Sequence, residues 1–335
     1  MKEQRNPLVD ITRLAAAIGI ILCHVNLTDY GTVGIFFGQF LSVRFSVMFF
    51  LAIIGYYLEK SYEAGRNPIP RRLSSFLRAY GSWSLVYLAL SFVMVVLIQK
   101  VPLGQFLVGK ARDFLLSGSY YHFWFYPAVI YSLLFIGGVK KLLGHRALQF
   151  LVPLALLLYL VGLLGTGYLP IGLQIPGLRS LYTVKAFHVL MPLCFLGFPS
   201  IVLGMTVVHK NRACSGSLLL LAVAAYVAES AILCFFLSWW ENPQMLISTP
   251  VLTVLFLSWI QNRNCSTFPE KANLTLLRVV SSGMYNIHPL ILAMLAIIIP
   301  NLNGLWTFLL CTVCSVLFGW MLYYLRKIKI FALFI

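Results

Sequence analysis

Apolar runs long enough to cross a bilayer recur from one end of this chain to the other, and one globular core could not absorb them all. Sixty per cent of the 335 residues are hydrophobic and only ten per cent charged, with a mean hydropathy of +0.89. Soluble domains carry about 25% charge. The chain is therefore expected to be an all-α, polytopic integral membrane protein. No polar stretch is long enough for a separate soluble domain, so residues 1–335 are taken as one transmembrane domain.

The runs predict about ten transmembrane helices, near 8–28, 41–58, 79–99, 123–139, 147–165, 186–207, 216–239, 245–261, 279–299 and 305–325. The opening stretch resembles a signal peptide, but no small-x-small cleavage site follows it, so it is expected to stay as the first span. A formal charge of +16 invites a nucleic-acid partner, and the distribution of that charge argues against one. With the N-terminus inside, nineteen of the 25 Lys and Arg residues fall in cytoplasmic segments and six outside. This is the positive-inside pattern. It puts both termini in the cytoplasm of a multi-pass plasma-membrane protein whose basic surface meets anionic lipid and no nucleic acid.

Several polar residues interrupt the spans. In "DITRLAAAIGIILCHVN", residues 10–26, helical arithmetic brings Arg13 and His24 within about 20° of each other, and Asp10 within about 40° of His24. The three form one stripe along about 21 Å of axis. Ionisable groups at bilayer depth cost about 2.5–3.5 kcal/mol or more on insertion scales, so they face a protein interior or a wet cavity. His122 and Trp124 stand at the mouth of the fourth span, in an aromatic cluster (residues 120–126) expected to be an interfacial belt. His188 is near Lys185, and Glu229 is mid-span in the seventh. His288 precedes Pro289, which is expected to break the ninth helix. Any one of these histidines can be a packed core residue, and Glu229 can bridge helices. In the loop "RNPIPRRLSSFLRAY", Arg66, Arg71, Arg72 and Arg78 form a cluster that is either a positive-inside anchor or a cradle for phosphate. An arginine cluster inside and a histidine on a polar stripe further out suit a transferase that takes a phosphorylated donor from the cytoplasm.

At these residues the chain resembles the membrane acyltransferase-3 family over nearly its whole length. The family's opening D-x-x-R and its arginine and histidine eleven positions apart correspond to Asp10, Arg13 and His24. Its second motif corresponds to "RFSVMFFLAIIGYYL", its fourth-span opening to "GSYYHFWF", and its ninth-span motif to "YNIHP". The branch it resembles includes the membrane domain of vancomycin-resistance serine racemases. Met48 and Ile54 depart from the family's Pro and Ser, and Ser75 stands where its second loop arginine aligns.

The resemblance implies O-acyl transfer, usually of acetyl from acetyl-CoA, to a hydroxyl of a cell-envelope carbohydrate or other exported acceptor, with no metal. It makes His24 the general base and Asp10 the group that orients Arg13. Arg13 and Arg72, with Arg78 as stand-in, would hold the CoA phosphates. Arg44 would stabilise charge on the thioester oxygen or bind an anionic acceptor. His122, Trp124, Glu229 and His288 are lining candidates. The alternative is an amino-acid (serine-like) permease or binding module without acyl transfer. A homo-oligomer is compatible with either.

Overall fold

The computed structural model describes residues 6–209, 214–239, 244–263 and 273–334. Its regular structure is helical throughout, with no strand among the described residues. Lys2, Arg5, Lys210, Arg212 and Lys271, five of the basic residues behind the expected sidedness, lie outside them.

The first helix, α1, runs Pro7–His24. Asn6 caps it by accepting the Leu8 N–H at 3.0 Å, and Pro7 occupies the first position, where no donor is needed. The Asn6 amide also donates to Ile260 O at 2.7 Å, tying this end to a distant helix. Next come α2 (Thr28–Glu63) and α3 (Ile69–Ile98), followed by a 14-residue helix, α4 (Leu103–Leu116), where the sequence suggested an outer loop. Buried Phe106 and a Tyr80 hydroxyl donating to Phe114 O at 2.7 Å anchor α4. Its short, amphipathic character suits a helix lying on the bundle, not one crossing a bilayer.

The stretch Phe125–Leu164 holds two helices, α5 (Phe125–Leu143) and α6 (Ala147–Leu164), turned at Gly144 with a φ of +54°. After a short α7 (Pro176–Thr183) come α8 (Lys185–His209) and α9 (Gly216–Phe236). Then follow α10 (Ser248–Gln261), α11 (Leu274–Ile298) and α12 (Gly304–Leu325). Eight segments of the described residues are long and apolar enough to cross a membrane, the one holding both α5 and α6 being 40 residues long. The protein is thus an all-helical membrane protein. Of the expected spans, α10 is the short one. Its 14 residues rise about 21 Å, less than the about 30 Å of a hydrocarbon core.

The helices pack closely where small residues permit. A Cβ on Gly55 would sit 1.8 Å from Ile201 O, and one on Gly204 1.8 Å from Ala52 O. The α2 and α8 backbones therefore touch, as membrane helices do at small residues. Three helix ends meet in an ionic knot. Glu59, 1% exposed, accepts from Lys140 Nζ at 2.7 Å and lies 3.0 Å from His209 Nε2. The far ends of α2, α5 and α8 thus share one face of the bundle. On the opposite face the Tyr30 hydroxyl donates to Asn303 Oδ1 at 2.7 Å, joining the start of α2 to the turn before α12.

Pro289 does not break its helix. Instead, α11 continues through it, because Tyr87 of α3 inserts its hydroxyl into the adjacent ladder. That hydroxyl donates to Asn286 O at 2.7 Å and accepts from Leu290 N at 3.2 Å. The aromatic cluster is likewise not an interfacial belt. Phe123 and Tyr126 are buried against Tyr80, Trp83 and Tyr87, and only Tyr121 of the group is strongly exposed.

Candidate active site

A cavity of about 1690 Å³ opens inside the bundle, lined from α1, α2, α3, α5, α8 and α11. Small-molecule pockets occupy about 300–1,000 Å³, so this one has room for two ligands end to end. The polar stripe of α1 forms one wall, with Asp10, Arg13, Cys23 and His24 all on the lining. Spacing on a straight helix accounts for this: residues that return to one azimuth share one face. Arg13 and His24 lie about 16 Å apart along the axis.

At the Arg13 end, α3 contributes Arg72 and Ser75, α2 contributes Tyr57, and α11 contributes Arg278 and Ser282. Arg278 is close enough to Arg13 for their charges to interact. Three guanidinium groups and one carboxylate therefore face this end, a composition that favours an anion. Arg78, the expected stand-in for the missing loop arginine, is not here. It is exposed on the outer face of α3, and its Nε donates to Ser74 O at 3.3 Å. Four residues beyond Ser74 on an α-helix, its side chain folds back along its own helix and away from the lining. Arg278, which the sequence offers only as a topological charge, lines the cavity at this end. Its signal was legible: Arg278, Ser282, Tyr285 and Asn286 follow i, i+4, i+7, i+8 spacing, and all four line the cavity.

At the other end stands a group of three histidines. The His24 ring stacks on His288 at 5.1 Å between centroids, inclined by 25°, and His288 meets His122 at 5.4 Å. Tyr121 packs edge-on against His24 at 5.1 Å. His24 and His122 are on the lining, whereas His288 is fully buried behind them. Its Nδ1 lies 3.1 Å from Met284 O, so Nδ1–H donates to that carbonyl. His288 thus supports the ring of His24 and does not line the cavity. Tyr285 donates to His122 O, and Tyr126 donates to Asn286 Oδ1 at 2.8 Å, fixing the segment that carries His122 against α11. Trp124 and His188 also line the cavity.

Arg44 enters from α2 on the same side as His24. Gln39, in a π-helical turn of α2 (Phe36–Ser42), donates to Cys23 O at 3.0 Å and meets Arg44 Nη2 at 3.5 Å. One amide thus spans from the residue beside His24 to the guanidinium.

Glu229 is not a lining residue. Its carboxylate accepts from the Ile247 N–H at 2.7 Å, the Ser248 N–H at 2.8 Å, the Ser248 hydroxyl and the Tyr168 hydroxyl at 2.6 Å. It meets the N-terminal donors of α10, the short helix whose end would otherwise leave N–H groups unsatisfied. A helix-bridging cap accounts for a carboxylate at that depth.

An Acyltransferase domain family profile matches residues 6–324. Among curated proteins, an "Amino-acid racemase" from Enterococcus faecalis is 26% identical over 353 residues, covering 98% of this chain and 47% of that protein. A "Serine/alanine racemase" from Enterococcus gallinarum is 28% identical over 195 residues, covering 56% of this chain and 26% of that protein. The chain spans about half the length of the first of these relatives and a smaller share of the second. No solved structure matches it. With the family profile covering nearly all of its length, the chain belongs to the acyltransferase-3 family.

Proposed function

We propose that the protein is a plasma-membrane O-acyltransferase. It takes an acyl group, acetyl in the simplest case, from cytoplasmic acyl-CoA and delivers it to a hydroxyl of a cell-envelope carbohydrate or another exported acceptor. The observation that carries this reading is one cavity with the guanidinium groups of Arg13, Arg72 and Arg278 at one end and His24 and His122, with Arg44, at the other. Ten spans with both termini in the cytoplasm make the Arg13 end the cytoplasmic one. The convergence of Glu59, Lys140 and His209 on one face supports that alternation.

Arg13, Arg72 and Arg278 bind the donor's phosphates, and Asp10, one turn from Arg13 on the same face, orients it. The pantetheine arm lies along the about 16 Å that separate Arg13 from His24. His24 accepts the proton of the acceptor hydroxyl, and the freed oxygen attacks the thioester carbonyl. The carbon–sulfur bond breaks, and His24 returns the proton to the departing thiolate. His288, stacked behind the ring, holds it in place.

The relative named as a serine/alanine racemase favours a second reading, a permease or binding module for a serine-like amino acid. Purified protein supplied with labelled acetyl-CoA separates the two. A transferase releases CoA and labels an acceptor, whereas a permease in vesicles moves serine without any acyl donor. Serine flux without CoA release would overturn acyl transfer.

A further inference from the structure

Arg44 is a cation at membrane depth for which the described residues provide no counter-charge. Its Nε is shielded from solvent and meets no hydrogen-bond partner. Its guanidinium touches the Gln39 amide oxygen only at 3.5 Å, and no described carboxylate comes within ion-pair range. The titratable groups that influence it are Cys23, Tyr226 and Tyr159. Both phenols already donate elsewhere, Tyr226 to Phe40 O at 2.6 Å and Tyr159 to Leu246 O at 2.7 Å. Glu229, which neighbours the same tyrosines, is committed to the start of α10. Arg44 is half-buried on the cavity lining, and a charge so placed with no counter-charge among the described residues is suited to an anionic ligand.

We infer that Arg44 binds an anionic group of the acceptor, so that the acceptor class is a hydroxyl compound bearing a carboxylate or phosphate in the same molecule. This rests on the transferase reading above and deepens it. Arg44 fixes the anion while the hydroxyl reaches His24, since Gln39 links the two positions through Cys23 O. The other three lining arginines are about 16 Å away along α1 or beside Arg13, and remain for the donor. A neutral sugar can accept hydrogen bonds from Arg44 but brings no counter-charge, which makes the residue a selector as well as an anchor.

The test uses the purified full chain in detergent without any acyl donor, so its outcome is independent of whether acetyl-CoA is cleaved. Thermal stabilisation is titrated with glycerate, glycerol 3-phosphate and glycerol for wild type, Arg44→Gln and Arg72→Gln. At least one anionic probe should stabilise wild type and Arg72→Gln, with glycerol inert, and the probe with the greater effect identifies the anion. Arg44→Gln should need about tenfold more probe or lose the response. Gln39→Glu, nearly isosteric, should abolish the response by giving Arg44 an internal carboxylate, and it covers the case in which Arg44→Gln fails to fold. An anionic response that is absent in wild type, or unchanged in Arg44→Gln or Gln39→Glu, would overturn the inference. Failure of acetyl-CoA to release CoA would instead count against the transferase.

Discussion

Glu59 lies near the end of α2 and Arg44 near its middle, and the bundle treats their charges in opposite ways. Glu59 is enclosed by Lys140 and His209, so its charge is balanced within the protein. Arg44 faces a cavity, and the described residues leave it with one long contact to an amide. The same contrast separates Glu229, saturated by four donors, from the arginines on the lining. Glu59 and Glu229 join helices, while Arg13, Arg44, Arg72 and Arg278 line the cavity, and the proposed function gives those arginines to ligands. Substitutions at the first set should therefore lower stability, and substitutions at the second should lower affinity or rate.

The largest effect belongs to the ionic knot. Lys140→Ala leaves the buried Glu59 with His209 alone beside it, at up to about 3–5 kcal/mol. Thermal unfolding in detergent should register that loss, and Glu59→Gln in the same chain should recover part of it. A Lys140→Ala protein as stable as wild type would erase the distinction between the two regions.

Next comes the donor end. Arg278→Gln should weaken acyl-CoA binding by about 1.5–3 kcal/mol with little change in stability, because a charge-assisted contact is removed from the lining. Arg78→Gln, on the outer face of α3, should change binding by less than about 0.5 kcal/mol. Equilibrium binding of labelled acetyl-CoA measures both. The reverse ranking would return Arg78 to the site and remove Arg278.

Smaller still is Tyr87→Phe, which leaves Asn286 O and Leu290 N unpaired beside Pro289, at about 1–3 kcal/mol shared between two buried groups. Hydrogen exchange at Leu290 should rise. If protection there is unchanged, the hydroxyl is not what carries α11 past its proline.

These residues also mark how far the sequence could be read. Asp10, Arg13 and His24 fell on one stripe by helical arithmetic alone, and that stripe is a wall of the cavity. The stripe of Arg278, Ser282, Tyr285 and Asn286 obeys the same arithmetic. Arg278 also fits the positive-inside pattern, which by itself accounts for a basic residue at that point of the sequence. The grouping of His24, His122 and His288 depends on which helices are neighbours, and spacing within any one helix carries no information on that. For Glu229 the sequence leaves a helix bridge and a place on the lining both open, and for Pro289 it suggests a break, for a related reason. The donors that saturate the first and the hydroxyl that repairs the second come from elements distant in sequence. The aromatic cluster was misplaced because an interfacial belt and a buried helix contact share one composition.

Passage of an acyl group through one cavity, from the Arg13 end to the His24 end, is open to test by transfer across a sealed membrane. Protein is oriented in vesicles, labelled acetyl-CoA is supplied on one side only, and the acceptor is supplied on the other. Wild type should label the acceptor only when acetyl-CoA is on the side of Arg72. His24→Gln should bind acetyl-CoA as wild type does and lose about 10²–10⁴-fold in transfer. Labelling from either side alike, or a His24→Gln protein that transfers at the wild-type rate, would contradict the account.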